Sequence, residues 1–205
     1  MLIVLFYKKD LNMIQKTLVL LKPDAVKRGI VGEILHRFER AGLKMVAVKL
    51  TQSDRELAAK HYQKDDVWAE KVGKIRLEDC VKYNISVTDL YGTDDPTKIG
   101  HMVNEYNFDF LTSGPVLAMV FEGVNAVKRI RDIVGFTIPS EAAPGTIRGD
   151  FGLDSAYTSM IRKRTIYNFI HASGTVDEAK DEIDLWFKAD EVLSYRRVHE
   201  DLYSY

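Results

Sequence analysis

The chain has 205 residues and 46% hydrophobic content, enough for one ordinary core. Its 29 basic and 30 acidic residues leave a formal net charge of −1, so no global field draws it to nucleic acid or anionic lipid, and any anion site must be local. The single cysteine, Cys80, rules out an intramolecular disulfide and a cysteine-based metal cluster, which fits a reducing cytoplasm.

Residues 2–7 form an apolar run too short to span a bilayer, with its charges after it and no small-residue cleavage site. Residues 1–15 therefore read as an N-terminal extension, with Met13 a second possible start; an added edge strand is the alternative. Residues 16–205 form the domain. "KTLVLLKPD" is a short apolar run ended by Pro23, a buried strand with Lys22 at its close. Val31, Ile34, Leu35, Phe38 and Ala41 then recur at helical spacing before Gly42. "LKMVAVKLT" alternates and is a second strand.

Residues 53–114 exceed what a simple pattern needs. A helix around residues 54–62, an irregular charged piece around Cys80 and a helix in "DPTKIGHMVNEY" suggest a lid or interface subdomain. "PVLAMVFEG" is a third strand and "NAVKRIRDIVG" a helix stopped by Gly135. "YNFIH" is a fourth strand, and Thr175 with Glu178 makes a capping-box pattern that opens a last helix through Trp186. The fold class is α+β: a ferredoxin-like βαββαβ antiparallel sheet with helices on one face, plus inserted helical segments at about 64–108 and 152–166.

Four places carry chemistry. In "NFIHASG" an apolar run delivers His171 to small residues, either as a core histidine or as a pocket nucleophile. In "APGTIRGDFG", Arg148 projects from a glycine-flanked loop that suits an anion, or else is solvated on a surface turn. Arg131 stands in phase with Val127 and Val134 on its helix, so it must pair with a carboxylate or face a polar cavity. Asn168 lies three residues before His171 and points to the opposite face of a regular strand, so a shared pocket requires a twist or bulge between them. Neither a GxxxxGK[ST] nor a strand-linked GxGxxG occurs, so bound phosphate must be held by side chains. His36, His101 and His199 read as structural or solvated, and His61 as flanking a pocket through Tyr62.

Taken together, "LLKPDAVKRGIVGEI", "AAKHY", "TSGPVLAMVFEG", "NAVKRIRDIVGFTIPSEAAPGTIRGDF", "NFIHAS" and "AKDEIDLWF" resemble, in order, the nucleoside diphosphate kinase family. The resemblance implies ping-pong transfer of the γ-phosphoryl group of a nucleoside triphosphate, typically ATP, to a nucleoside diphosphate through phospho-His171. It makes Glu182 the carboxylate that orients the ring and Ser173 the residue that holds Glu182. Lys22, Arg131, Thr137 and Arg148 match phosphate ligands, and Tyr62 and Asn168 match contacts to phosphate and sugar. It implies Mg²⁺ carried by the nucleotide phosphates rather than in a protein cage, and a cytoplasmic homo-oligomer, hexamer or tetramer, with no membrane and no obligate nucleic-acid partner. The chain departs from the family in the long join between "HY" and "SGPV", where Trp68 is the candidate for base stacking, and in the stretch between Phe151 and Asn168. The competing reading on the same fold is a non-catalytic nucleotide-binding regulator.

Overall fold

A computed structural model describes residues 13–198; residues 1–12, to which most of the expected extension belongs, and His199 lie outside the described residues. In chain order the elements are β1 (Ile14–Leu21), α1 (Pro23–Arg28), α2 (Val31–Arg40), β2 (Lys44–Gln52), α3 (Arg55–His61), α4 (Asp66–Lys82), α5 (Val87–Tyr91), α6 (Pro96–Thr112) and β3 (Pro115–Val124). There follow α7 (Ala126–Val134), a 3₁₀ turn at Pro139–Glu141, α8 (Ile147–Phe151), α9 (Ala156–Ile161), β4 (Ile170–Ala172), α10 (Val176–Trp186) and a second 3₁₀ turn at Ala189–Glu191. The chain divides into two compact units, one built from residues 13–51, 117–134 and 170–198, the other from 52–116 and 135–169.

The first unit holds the sheet, in the order β2-β3-β1-β4. β1 runs antiparallel to both neighbours, with Thr17 opposite Phe121 and Leu20 opposite His171. This is the expected ferredoxin-like order. β1 is central, and its residues Leu18, Val19, Leu20 and Leu21 are completely buried, which is why it reads as a continuous apolar run rather than an alternation. Pro23 opens α1 because its fixed φ suits a first helical turn, and Gly29 closes it at φ 75, a backbone few other residues accept. Helices α7 and α10 pack on β1. α7 does so through Ala126, Val127, Ile130 and Val134, so its apolar row is the buried face that the sequence spacing predicts.

The second unit is helical. α4 and α6 are the long pair, and two glycines let them touch backbone to backbone. A Cβ on Gly73 would lie 1.7 Å from the Pro96 carbonyl oxygen, and one on Gly100 would lie 2.0 Å from that of Ala69. Below this crossing Cys80, Leu90, Tyr91, Ile99 and Met160 form a core of their own, with Leu77, Tyr83, Ile85 and Val87 packed against it. Burial pushes the Tyr91 hydroxyl up to about 12.

Three local expectations are corrected. The piece around Cys80 is not irregular: it is the last turn of α4, capped at its start by Asp65, whose carboxylate accepts from the Trp68 N–H. Its buried residues, Ala69, Gly73 and Cys80, are small and its exposed ones include Val67, Ile75 and Val81, so no amphipathic stripe marks it. The fourth strand spans only Ile170–Ala172, because Phe169 takes φ 65 and breaks the extended run. At α10, Thr175 caps Glu178 N–H as expected, but the Glu178 carboxylate reaches back to the Gly174 N–H, not to that of Thr175.

Candidate active site

In the first unit the pairing of Leu20 with His171 puts both side chains on one face of the sheet. Lys22 follows Leu20 by two in extended backbone (φ −76, ψ 169), so the alternation carries its side chain to that face as well. The His171 side chain is 19% exposed, and its Nε2 lies 2.7 Å from Oε1 of Glu182 on α10. The approach is short but off the axis of an ideal hydrogen bond. The other oxygen of Glu182 accepts from Ser173 Oγ at 2.6 Å. Ser173 is itself fully buried and tied to the central strand, its Oγ accepting from Leu18 N–H at 3.2 Å and its N–H donating to Leu18 O at 3.3 Å. The imidazole therefore rests on a carboxylate that rests on a serine fixed to β1. A carboxylate facing Nε2 favours the tautomer with its proton there, which puts the lone pair on Nδ1.

Arg131 corrects an expectation. It does not sit in the buried row of α7 but one step round the helix, exposed, with no ion pair or hydrogen bond among the described residues. Its Nη1 lies 3.7 Å from where a Cβ on Gly174 would stand, so the guanidinium lies against the turn that follows His171.

In the second unit Arg148 is carried by α8 rather than by a loop. Thr146 caps that helix through the Gly149 N–H at 3.1 Å, and Gly149 is required because a Cβ would lie 2.1 Å from the Ala143 carbonyl oxygen. Arg148 is buried, neither a solvated turn residue nor a loop tip. Its Nη1 donates to Gly135 O at 2.9 Å and its Nε to Asn168 O at 3.2 Å. Asn168 Nδ2 in turn donates to Thr137 O at 2.8 Å, so Thr137, Arg148 and Asn168 form one bonded group with the Thr137 side chain exposed. Between Asn168 and β4, Phe169 takes left-handed backbone at φ 65.

Tyr62 ends α3. Its carbonyl accepts from Asn104 Nδ2 on α6 at 3.1 Å, and its ring meets that of His61 edge-on at 4.7 Å. Trp68 is half-buried in the first turn of α4 and makes no side-chain hydrogen bond or ring contact among the described residues. His36 is exposed, and His101 is exposed with Nε2 2.9 Å from Asp66 Oδ1, as the sequence reading expects of both.

Two features of this unit escape a reading of the sequence. Asp154 gathers Arg164 (2.6 and 3.0 Å) and the Tyr167 N–H (2.7 Å), fixing the stretch that leads to Asn168. Burial alone would raise its carboxyl, but Arg164 with the Tyr167 and Ser155 N–H groups outweighs that and holds it below 3.8. Thr165 Oγ1 donates to Asn107 Oδ1 of α6 at 2.6 Å. The i, i+3 spacing of Asn104 and Asn107 is the one sequence signal that could have pointed to this helix face.

A histidine braced by a carboxylate, with Lys22 and Arg131 in the same unit, is chemistry suited to phosphoryl transfer. The family profile of nucleoside diphosphate kinase matches residues 15–85 and 97–192. The nucleoside diphosphate kinase of Pyrobaculum aerophilum is 42% identical over 180 residues, which is 88% of this chain and 98% of that one, and the Pyrococcus furiosus enzyme is 39% identical over 94% of this chain and 95% of that one. The solved structure of the Pyrobaculum NDP kinase superposes with a TM-score of 0.85 at 40% identity, covering 88% of this chain and all of that one. The Borrelia burgdorferi enzyme, a transition-state mimic with bound vanadate and ADP, superposes at 0.73 with 38% identity, covering 92% and 96%. The chain belongs to the nucleoside diphosphate kinase family. Among the described residues no helix is long and apolar enough to cross a membrane.

Proposed function

We propose that the chain transfers the γ-phosphoryl group between nucleotides in two half-reactions through His171. In the first, the Nδ1 lone pair attacks the γ-phosphorus, the bond to the β–γ bridging oxygen breaks, and a nucleoside diphosphate leaves with that oxygen. In the second, the terminal oxygen of another diphosphate attacks the phosphorus, the P–N bond breaks, and the imidazole is restored. Glu182 acts throughout on Nε2: its charge stabilises the ring as positive charge develops on bond formation, and Ser173 keeps it in place. Lys22, Arg131, Thr137 and Arg148 neutralise and position the phosphates, Tyr62 contacts a phosphate, and Asn168 contacts the ribose hydroxyl, which is blind to the base.

The observation that carries the reading is the 2.7 Å approach of Glu182 to His171 Nε2, with Ser173 behind it. This is the arrangement that a nucleophilic imidazole requires and a structural histidine does not. The non-catalytic alternative calls for a broken set of ligands; nucleophile, brace and cations are all present. The Borrelia relative, caught with vanadate and ADP, supports the same chemistry here. Cations and neutral donors fit phosphate oxygens rather than a bare metal ion, so Mg²⁺ is taken up on the nucleotide, where it offsets phosphate charge. Family likeness supports assembly as a hexamer or tetramer and residence in the cytoplasm. The test is acid-labile labelling by γ-labelled ATP, present in the wild type and absent in His171→Ala. A mutant that still accepts and passes on the label overturns the assignment.

A further inference from the structure

At the start of α10 the Glu178 carboxylate reaches further than a helix cap requires. In a capping box the glutamate three residues after the cap returns its side chain to the N–H of the cap itself, here Thr175. Glu178 instead passes Thr175 and accepts from the Gly174 N–H at 2.7 Å, while Thr175 Oγ1 still accepts from the Glu178 N–H at 3.1 Å. The longer reach is possible because position 174 has no side chain: a Cβ there would lie 2.6 Å from Glu178 Oε2. Gly174 does not take a left-handed backbone, so the turn itself does not call for glycine. The missing side chain makes room for the carboxylate.

That room also borders Arg131. The point where a Cβ would stand is 3.7 Å from Arg131 Nη1 as well as 2.6 Å from Glu178 Oε2, so a guanidinium and a carboxylate share one small space beside the turn after His171. They do not close to an ion pair, and Arg131 makes no hydrogen bond among the described residues, so its donor fork remains for phosphate. Arg131 is exposed on a long, rotatable side chain, whereas the Glu178 carboxylate is half-buried and tied to backbone. A fixed negative charge at this range narrows the region that such a cation occupies.

We propose that Glu178 is a positioning residue: in the room left by Gly174 it holds Arg131 beside the turn after His171, where the phosphoryl group is transferred. The proposal rests on the reading of Arg131 as a phosphate ligand. Glu178 also repels the phosphates of the nucleotide, but that repulsion acts before and during transfer alike. It therefore enters the half-saturating concentration, while the placement of Arg131 enters the rate at saturation.

The test is rapid-quench phosphoenzyme formation over a range of γ-labelled ATP concentrations, which separates those two quantities. Glu178→Gln keeps the shape and leaves an amide oxygen to accept from the Gly174 N–H, so it removes the charge alone. The rate at saturation should fall about three- to fivefold, the size of one partly exposed charge pair, with a half-saturating concentration no higher than that of wild type and a melting curve that stays cooperative. In an Arg131→Ala background the same substitution should change the rate by less than about 1.5-fold, because no guanidinium remains to be positioned. A Glu178→Gln that reacts at the wild-type rate, one whose loss lies in the half-saturating concentration, or one that costs as much without Arg131 as with it overturns the proposal and leaves Glu178 as a helix cap. An Arg131→Ala as fast as wild type, or a wild type that takes up no label, overturns the reading beneath it, so the two failures are told apart.

Discussion

Glu182→Gln isolates the brace on the nucleophile. The substitution keeps shape and volume, and the amide oxygen can still accept from Ser173, whose Oγ lies 2.6 Å from the carboxylate. What faces His171 Nε2 is then an uncharged NH₂ in place of the oxygen now at 2.7 Å. That donor favours the opposite tautomer, with the proton on the attacking nitrogen, and no longer stabilises the charge that the ring develops. A hydrogen bond to a charged group contributes about 1.5–3 kcal/mol. The Glu182 side chain is 9% exposed, so solvent screens it little, while the off-axis approach argues for the lower part of that range. At about 1.4 kcal/mol per tenfold, phosphoenzyme formation should slow roughly ten- to fortyfold. Rapid-quench single turnover with γ-labelled ATP reads this step directly, and the thermal midpoint reports whether the fold survives. A well-folded Glu182→Gln within twofold of the wild-type rate would refute the argument.

The two arginines should part company. Arg131→Ala, at an exposed side chain, should lose transfer activity by more than tenfold with an unchanged melting temperature, whereas Arg148→Ala strands the Gly135 and Asn168 carbonyls and should also cost about 3 kcal/mol of stability by denaturant titration. Gly73→Ala gains helix propensity of about 1 kcal/mol but drives a methyl to 1.7 Å from the Pro96 oxygen, so calorimetry should show a net loss of about 2 kcal/mol or more and a midpoint lower by at least about 4 °C. Because the folded state lowers the Asp154 carboxyl, its contribution to stability is complete above the unfolded value near 4 and is lost as pH falls through the lower folded one. Asp154→Asn should therefore melt earlier than wild type at pH 7, with the gap narrowing as a pH series of melting curves descends below the ordinary carboxylate range.

The central strand, its neighbour β3 and α7 announce themselves in the sequence because each is patterned on the scale of its own element. Ser173 and Glu182 enter only through the family resemblance, whereas His171 was legible in itself, as the end of an apolar run that meets small residues. α4 was not, because its buried side is made of small residues whose value lies in what they let approach, and periodicity of large apolar side chains cannot register that. Arg131 misled for a related reason: spacing places a residue within a third of a turn, and that is the margin between the buried row and the exposed flank of α7. The group of Thr137, Arg148 and Asn168 is joined through backbone carbonyls, which any sequence could supply, so nothing in residue identity foretold those bonds.

The small core of the helical unit draws Met160 from one segment of chain and Cys80, Leu90, Tyr91 and Ile99 from another, distant in sequence. Neither segment covers its own oily side unaided. Truncating either would open the other's apolar face to water, so the two must be carried together in any attempt to cut this unit out and express it by itself.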